Sequence, residues 1–114
     1  MKKYFLGGLL WTLGACVERP QPPLGTLSQS QMVQILTDVH LAEAKTSRIT
    51  LRSLDSSRTL YQRYEEEILK NYRTDTATYR KSLRFYLENT GYLDEIYQTV
   101  VDTLSQREKQ GRLK

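Results

Sequence analysis

The residues that lead up to Cys16 limit how much of this chain can fold as a domain. Lys2 and Lys3 precede a largely apolar run at residues 4–13. Ten residues suit the central region of a signal peptide and are too few to cross a bilayer, which takes about 20. We therefore expect residues 1–15 to be a signal peptide that is removed. The 99 residues left from 114 are enough for one small domain.

The residues next to Cys16 predict how the mature chain is held at a membrane. Leu13, Gly14, Ala15 and Cys16 resemble the lipobox of bacterial lipoproteins. In that motif small side chains let the signal peptidase reach the bond, and the cysteine thiol takes the lipid. The alternatives are an ordinary secretory signal with a chance cysteine, or a short buried helix. The order and spacing of the segments favour a lipid anchor on Cys16.

A proline-rich segment follows the cysteine. Residues 17–27 contain all three prolines of the chain, so we predict that residues 16–27 are the lipidated cysteine and a stiff linker. At ~3.1 Å per residue, this linker could hold a domain up to ~30 Å from the lipid. Glu18 is the one acidic residue near Cys16. Surface-exported lipoproteins of Bacteroidota carry a dense acidic cluster there, so we favour an outer-membrane protein facing the periplasm. Surface exposure and the inner membrane remain alternatives.

The charge and the cysteine content exclude several classes of protein. Without Lys2 and Lys3 the mature chain has 15 basic and 13 acidic residues, interleaved along its length. A nucleic-acid-binding protein usually shows a clustered basic stripe instead. One cysteine and one histidine give neither an internal disulfide nor a zinc site. We therefore expect no nucleic-acid partner, no metal and no cofactor.

Apolar residues at helical spacing indicate an all-α fold behind the signal peptide and linker. Ser28 and Gln31 fit a capping box at the start of the first helix. We predict helices at about residues 28–48, 56–72, 75–89 and 92–107. The last has the clearest apolar stripe, formed by Leu93, Ile96, Tyr97, Val100, Val101 and Leu104. No segment alternates with a period of two, so we predict a small bundle of about four helices over residues 28–108, followed by a polar tail at residues 109–114.

Three polar residues of the first helix form the candidate site. His40 and Glu43 are three residues apart and can touch, whereas Asp38 lies about 200° around the helix from His40. An imidazole can carry protons near neutral pH, so the cluster could bind a ligand. A half-buried histidine that orients the bundle is the more ordinary explanation, and we favour it.

Tyrosines and a basic cluster are the other candidates. The chain has eight tyrosines and two phenylalanines, which suits either a partner surface or a core whose edge is covered by tyrosine rings. Arg80, Lys81 and Arg84 could meet phosphates or lipid head groups, although a solvated face is the commoner reason for such a cluster. The sequence contains no glycine-rich phosphate loop, no HExxH and no nucleophile elbow. We therefore predict no catalytic residues.

The layout resembles a family of small Bacteroidota lipoproteins filed under a domain of unknown function, DUF4296. The resemblance rests on Cys16 with its spacer, on LSQSQMVQILTDVHLAEA at residues 27–44, and on YRKSLRFYLENTGYLDEIYQTVVDTL at residues 79–104. It implies a compact helical lipoprotein of the cell envelope and no activity. The segment LENTGYLDE lacks the proline expected from the family, so the start of the last helix stays open.

Together these features predict a non-enzymatic lipoprotein, anchored to a membrane through Cys16, that binds another envelope protein. The alternative is a module that binds a small molecule, glycan or peptide through His40, Glu43 and nearby tyrosines. A buried His40 would favour a structural role, and an open pocket with several tyrosine hydroxyls would favour a ligand. An exposed apolar patch on the last helix would favour a protein partner.

Overall fold

The computed structural model describes residues 19–48 and 54–111, and these residues form helices and no strand. The helices are α1 (Gln29–Arg48), α2 (Leu54–Asn71), α3 (Thr76–Glu88) and α4 (Thr90–Lys109). The predicted all-α bundle is therefore confirmed. None of these helices is long and apolar enough to span a membrane. The predicted signal peptide and Cys16 lie outside the described residues.

α1 is the central helix of the bundle and packs against both α2 and α4. Its first turn is closed by the predicted capping box. The Ser28 hydroxyl accepts the Gln31 N–H at 3.1 Å, and the Gln31 side chain accepts the Ser28 N–H at 2.8 Å. Its buried residues are Met32, Ile35, Leu36, Thr37, Val39 and Ala42.

The link between α2 and α3 is short and well hydrogen-bonded. α2 begins at Leu54, two residues before the predicted start, and ends in a Schellman motif. In this motif Arg73 has a positive φ of 56°, and the Thr74 N–H donates to the Leu69 carbonyl at 3.0 Å. Asp75 then caps α3 by accepting the Thr78 N–H at 2.7 Å, and this bond lowers the pKa of Asp75.

A single residue, Asn89, separates α3 from α4. Its N–H donates to the Tyr86 carbonyl and its side chain to the Phe85 carbonyl, while its own carbonyl accepts the Tyr92 N–H. The last helix was predicted from about residue 92, and α4 begins earlier, at Thr90, because Gly91 is accommodated in its first turn. At its other end, α4 reaches one residue into the predicted tail.

The core is formed by residues of all four helices together with Leu27, which precedes α1. Its fully buried side chains include Tyr86, Met32, Ile35, Leu69, Ile96 and Val100. Leu69 is the residue of α2 that is fully buried in this core. Val101, predicted in the stripe of α4, is 58% exposed, and Leu87 is 54% exposed. Both lie on sides of their helices that no other described helix covers.

The residues before α1 form a strap, defined here as residues 19–27, that contacts α3 and α4. The Leu27 N–H donates to the Ser82 hydroxyl at 2.9 Å, and the Tyr86 hydroxyl donates to the Leu27 carbonyl at 2.6 Å. Pro23 and Thr26 are joined across a turn whose third residue, Gly25, has a φ of 82°. The described part of the predicted linker is therefore held on the bundle, because Leu27 is buried and its backbone bonds to α3.

Candidate functional site

The structure divides the three candidate residues of α1 between two separate contacts. His40 Nδ1 lies 3.3 Å from Glu43 Oε2, so the contact predicted from their spacing is present. Asp38 lies on another side of α1 and has different partners. The three side chains do not converge on one point.

Asp38 connects α1 to the ends of two other elements. Its Oδ2 accepts the Tyr72 hydroxyl at 2.5 Å, and its Oδ1 accepts Arg107 Nη1 at 3.1 Å. Burial, and then the hydrogen bond to Asp38, raise the pKa of Tyr72 to about 12. Both carboxylate oxygens are engaged, so the arrangement ties the bundle together at its α1, α2 and α4 helices.

His40 reaches the surface beside α4. Its ring centroid lies 5.9 Å from that of Tyr97, with the rings tilted by 54°. Tyr97 is 38% exposed, and Glu43 is exposed as well. The histidine is thus neither buried in the core nor enclosed by tyrosine hydroxyls.

Acidic residues face the tyrosines between α1, α2 and α3. Burial, the charge of Glu65 and a hydrogen bond to Glu65 raise the pKa of Tyr61. Burial and then the charge of Glu65 raise the pKa of Tyr79 to about 12. Glu43 adds to both shifts. The tyrosine rings therefore fill the edge of the core in their protonated form.

The outer side of α4 carries a shallow depression of about 520 Å³. Its lining residues are Asp94, Tyr97, Gln98, Val101 and Asp102. Tyr97 and Val101 supply apolar surface, and the two aspartates lie beside it. Two apolar side chains are thus exposed between two carboxylates on this side of α4.

A second, larger groove of about 580 Å³ runs between α1 and α4. Its charged residues already have partners. Glu95 accepts hydrogen bonds from Arg19 and Gln29, which lower its pKa, and Arg107 is paired with Asp38. The rest of the lining is largely hydroxyl and amide groups, so this groove offers no unpaired charge to a ligand within the described chain.

Comparison with known protein families accounts for most of the chain. Residues 23–110 match the family described as a domain of unknown function, DUF4296. The chain belongs to this family. The resemblance drawn from the sequence is thereby confirmed, and the family's description assigns no activity. No curated protein and no solved structure matches the chain.

The contacts of this DUF4296 domain limit what the candidate residues can do chemically. Across residues 19–48 and 54–111, no three His, Cys, Asp or Glu side chains are grouped so that they could hold a metal ion. General acid–base catalysis needs groups that converge on a substrate within hydrogen-bonding distance. Here Asp38 is occupied by Tyr72 and Arg107, and His40 has Glu43 on an open surface.

No local pattern in the sequence indicates the partners of Asp38. Tyr72 and Arg107 lie 34 and 69 residues away from it. No spacing rule connects positions that far apart, because only the packing of the helices brings them together. The exposure of Tyr97 and Val101 was not predicted either, because both belong to the apolar stripe of α4 and spacing alone does not show which residues of a stripe another helix covers.

The tyrosines make the DUF4296 domain sensitive to alkaline pH. The folded pKa values of Tyr72 and Tyr79, about 12, lie above the unfolded value near 10. Their contribution to stability is therefore complete below pH 10 and is lost as the pH rises towards 12. We expect the urea midpoint to fall across this range, and Tyr79→Phe to flatten the fall. A midpoint that stays constant to pH 12 would contradict the packing described for these rings.

Proposed function

We propose that this protein is a lipoprotein of the cell envelope, anchored through Cys16, whose helical bundle binds another envelope protein and catalyses no reaction. The observation that carries the proposal is the exposed apolar surface of α4. Tyr97 and Val101 form it, and Asp94 and Asp102 flank it.

The order of segments at the N-terminus supports the anchor. Two lysines, a ten-residue apolar run and Leu13, Gly14, Ala15 and Cys16 follow one another as in a lipoprotein precursor. A diacylated cysteine holds a protein firmly, because each buried methylene contributes ~0.8 kcal/mol and two chains act together. We place the protein at the outer membrane facing the periplasm. Surface exposure and the inner membrane are the alternatives.

The chemistry of the α4 surface suggests the class of partner. Aromatic residues are enriched in protein interfaces, and Tyr97 presents its ring beside the aliphatic Val101. Asp94 and Asp102 make the rim acidic. The fitting partner is a protein segment that combines apolar side chains with lysine or arginine.

The contacts of the polar groups support the proposal that the protein catalyses no reaction. Asp38, Tyr72 and Arg107 bond to one another, and His40 contacts Glu43 and the ring of Tyr97. These contacts support a structural role for Asp38 and its two partners, and for His40 with Glu43.

Site-specific photo-crosslinking in cells tests the proposed interface. A photoreactive residue at Val101 is expected to give one discrete protein adduct, and the same residue at the exposed Glu66 of α2 is expected to give none. Replacing Asp94 and Asp102 with lysine should lower the yield at Val101 by at least about fivefold, since it reverses the charge of the rim. Equal yields from both positions, or no adduct while the protein stays on the membrane, would refute the interface.

A ligand-binding module is the second candidate, and the exposed His40–Tyr97 pair favours it. Their rings lie 5.9 Å apart at the surface, next to Glu43. A sugar or peptide could stack on Tyr97 and bond to the two polar side chains. Chemical-shift changes of the His40 ring on adding glycans or peptides, without any adduct from Val101, would favour this candidate over the first.

A further inference from the structure

We propose that one side of α3 rests on a membrane surface that contains anionic phospholipids. This α3 surface consists of Leu24 in the strap and Arg80, Lys81, Arg84 and Leu87 on the helix. The inference extends the proposed function by specifying which side of the domain meets the bilayer. Only the distance between the α3–α4 junction and the bilayer rests on the proposed lipid at Cys16.

The three basic residues share one exposed face of α3. Arg80, Arg84 and Leu87 follow a spacing of four and three residues, and Lys81 borders them. All three basic side chains are exposed, and none forms an ion pair with another residue in the part of the chain that the structure describes. Glu88, four residues after Arg84, adds one acidic side chain to the same face at the C-terminal end of α3. The positive charge is therefore available to an external anionic surface.

Apolar side chains project among these charges. Leu24 is 98% exposed in the turn of the strap, and Leu87 is 54% exposed. The Lys81 ammonium lies 3.5 Å from the Leu24 carbonyl, so the turn sits directly beside the basic face. Exposed leucines next to lysine and arginine fit the boundary between lipid head groups and acyl chains, where each type of side chain finds its own environment.

The strap holds the start of the described chain against the junction of α3 and α4. Arg19 pairs with Glu95 at 2.5 Å, and its guanidinium carbon lies 5.2 Å from the centre of the Tyr92 ring. The Tyr92 hydroxyl donates to the Pro20 carbonyl at 3.1 Å. Tyr92 lies in the first turn of α4, just beyond the end of α3 that carries Leu87.

Because the strap is attached, a lipid on Cys16 can lie only a short distance from Arg19. Cys16 precedes Arg19 by three residues, and three residues span at most about 11 Å. A lipid on Cys16 therefore brings the α3–α4 junction close to the bilayer. The linker up to residue 27 was expected to be a spacer of ~30 Å. It cannot span that distance while its described part, residues 19–27, is attached to the bundle.

The charge of the α3 surface sets the expected size of the effect. Each lysine or arginine near an anionic bilayer favours the bound state roughly fivefold, so three residues together give on the order of a hundredfold. Salt reduces this effect, because the screening length is about 8 Å at physiological ionic strength.

Fluorescent labels can report which side of the domain meets the lipid. The full chain is produced in cells with Leu24→Cys, Leu87→Cys or Gln98→Cys, and the new thiol carries an environment-sensitive dye. Gln98 is exposed on α4 and is the reference position. The purified proteins are reconstituted in vesicles of phosphatidylcholine alone or mixed with phosphatidylglycerol. Dyes at positions 24 and 87 should shift to the blue in the anionic vesicles, and the dye at position 98 should not.

Charge reversal provides the matched control. Arg80→Glu, Lys81→Glu and Arg84→Glu together should abolish the shift at positions 24 and 87. The same reversal at Arg58, Arg63 and Lys70, which are exposed on α2, changes the net charge equally and should leave the shift intact. Identical spectra in both lipids, or equal loss with the two triple variants, would overturn the proposal. An acidic protein as the true partner of α3 would give spectra that do not depend on lipid composition, and that outcome also overturns it.

The intact mass of the same samples separates the two proposals. Acylated protein whose dyes do not respond to anionic lipid refutes the α3 surface and leaves the anchor standing. Protein without acyl chains refutes the anchor, and its binding to added vesicles still tests the α3 surface. In that case binding to anionic vesicles should exceed binding to neutral ones by at least about tenfold and should disappear with the α3 charge reversal.

Discussion

Tyr86→Ala is expected to lower the free energy of unfolding by roughly 3–5 kcal/mol, the usual cost of removing a buried aromatic side chain. The Tyr86 side chain is fully buried, packs edge-on against Phe85, and donates a hydrogen bond to the Leu27 carbonyl. A domain of this size is stable by about 5–15 kcal/mol in total, so the variant should melt roughly 15–30 °C lower or fail to fold. Thermal unfolding followed by circular dichroism measures the change.

Tyr86→Phe isolates the hydrogen bond from the packing. This variant keeps the ring and removes the donor to Leu27, which leaves a buried carbonyl without its partner and should cost about 1–3 kcal/mol. Tyr97→Phe is the matched control, because Tyr97 is partly exposed and lies outside this contact. Equal stability of Tyr86→Phe and the unmodified protein would show that the bond between Tyr86 and Leu27 contributes nothing.

Cys16→Ala is expected to abolish acylation altogether and to reduce partitioning into a detergent phase by at least about tenfold, because no acyl chain remains to enter it. Intact-mass measurement of the purified protein detects the lipid directly. Circular dichroism should be unchanged, since residue 16 precedes the strap and every described helix.

Thr12→Ser serves as the control for the anchor. It changes a residue of the apolar run and leaves residues 13–16 intact. This variant should keep the acyl mass and the partitioning of the unmodified protein. Acyl chains that persist in Cys16→Ala would place the modification elsewhere and refute the proposed anchor.

Local patterns in the sequence were sufficient to predict the helices. The Ser28–Gln31 pair predicted the start of α1 to within one residue, because a capping box is a contact between neighbours in the chain. The sequence predicted a break between the last two helices near Asn89. It did not predict that the break is a single residue. Glycine at position 91 suggests a turn, but nothing local shows that the first turn of α4 accepts it.

Contacts between distant residues could not be predicted in this way. The His40–Glu43 contact follows from helical spacing, whereas the partners of Asp38 come from α4 and the end of α2. The strap is a similar case. Its prolines indicate an extended linker, and the hydrogen bonds of Leu27 to Ser82 and Tyr86 depend on how α3 packs against the start of α1.

The attachment of Leu27 also has a mechanical consequence. If Cys16 carries the proposed lipid and that lipid is pulled, tension enters the domain at Arg19 and travels along the strap towards α1. The hydrogen bonds that join the Leu27 backbone to the Ser82 and Tyr86 hydroxyls lie between that point and the first turn of α1, so they bear the load before the helix does. Lateral drag on the anchor would then act first on the contacts that the strap makes with α3 and α4.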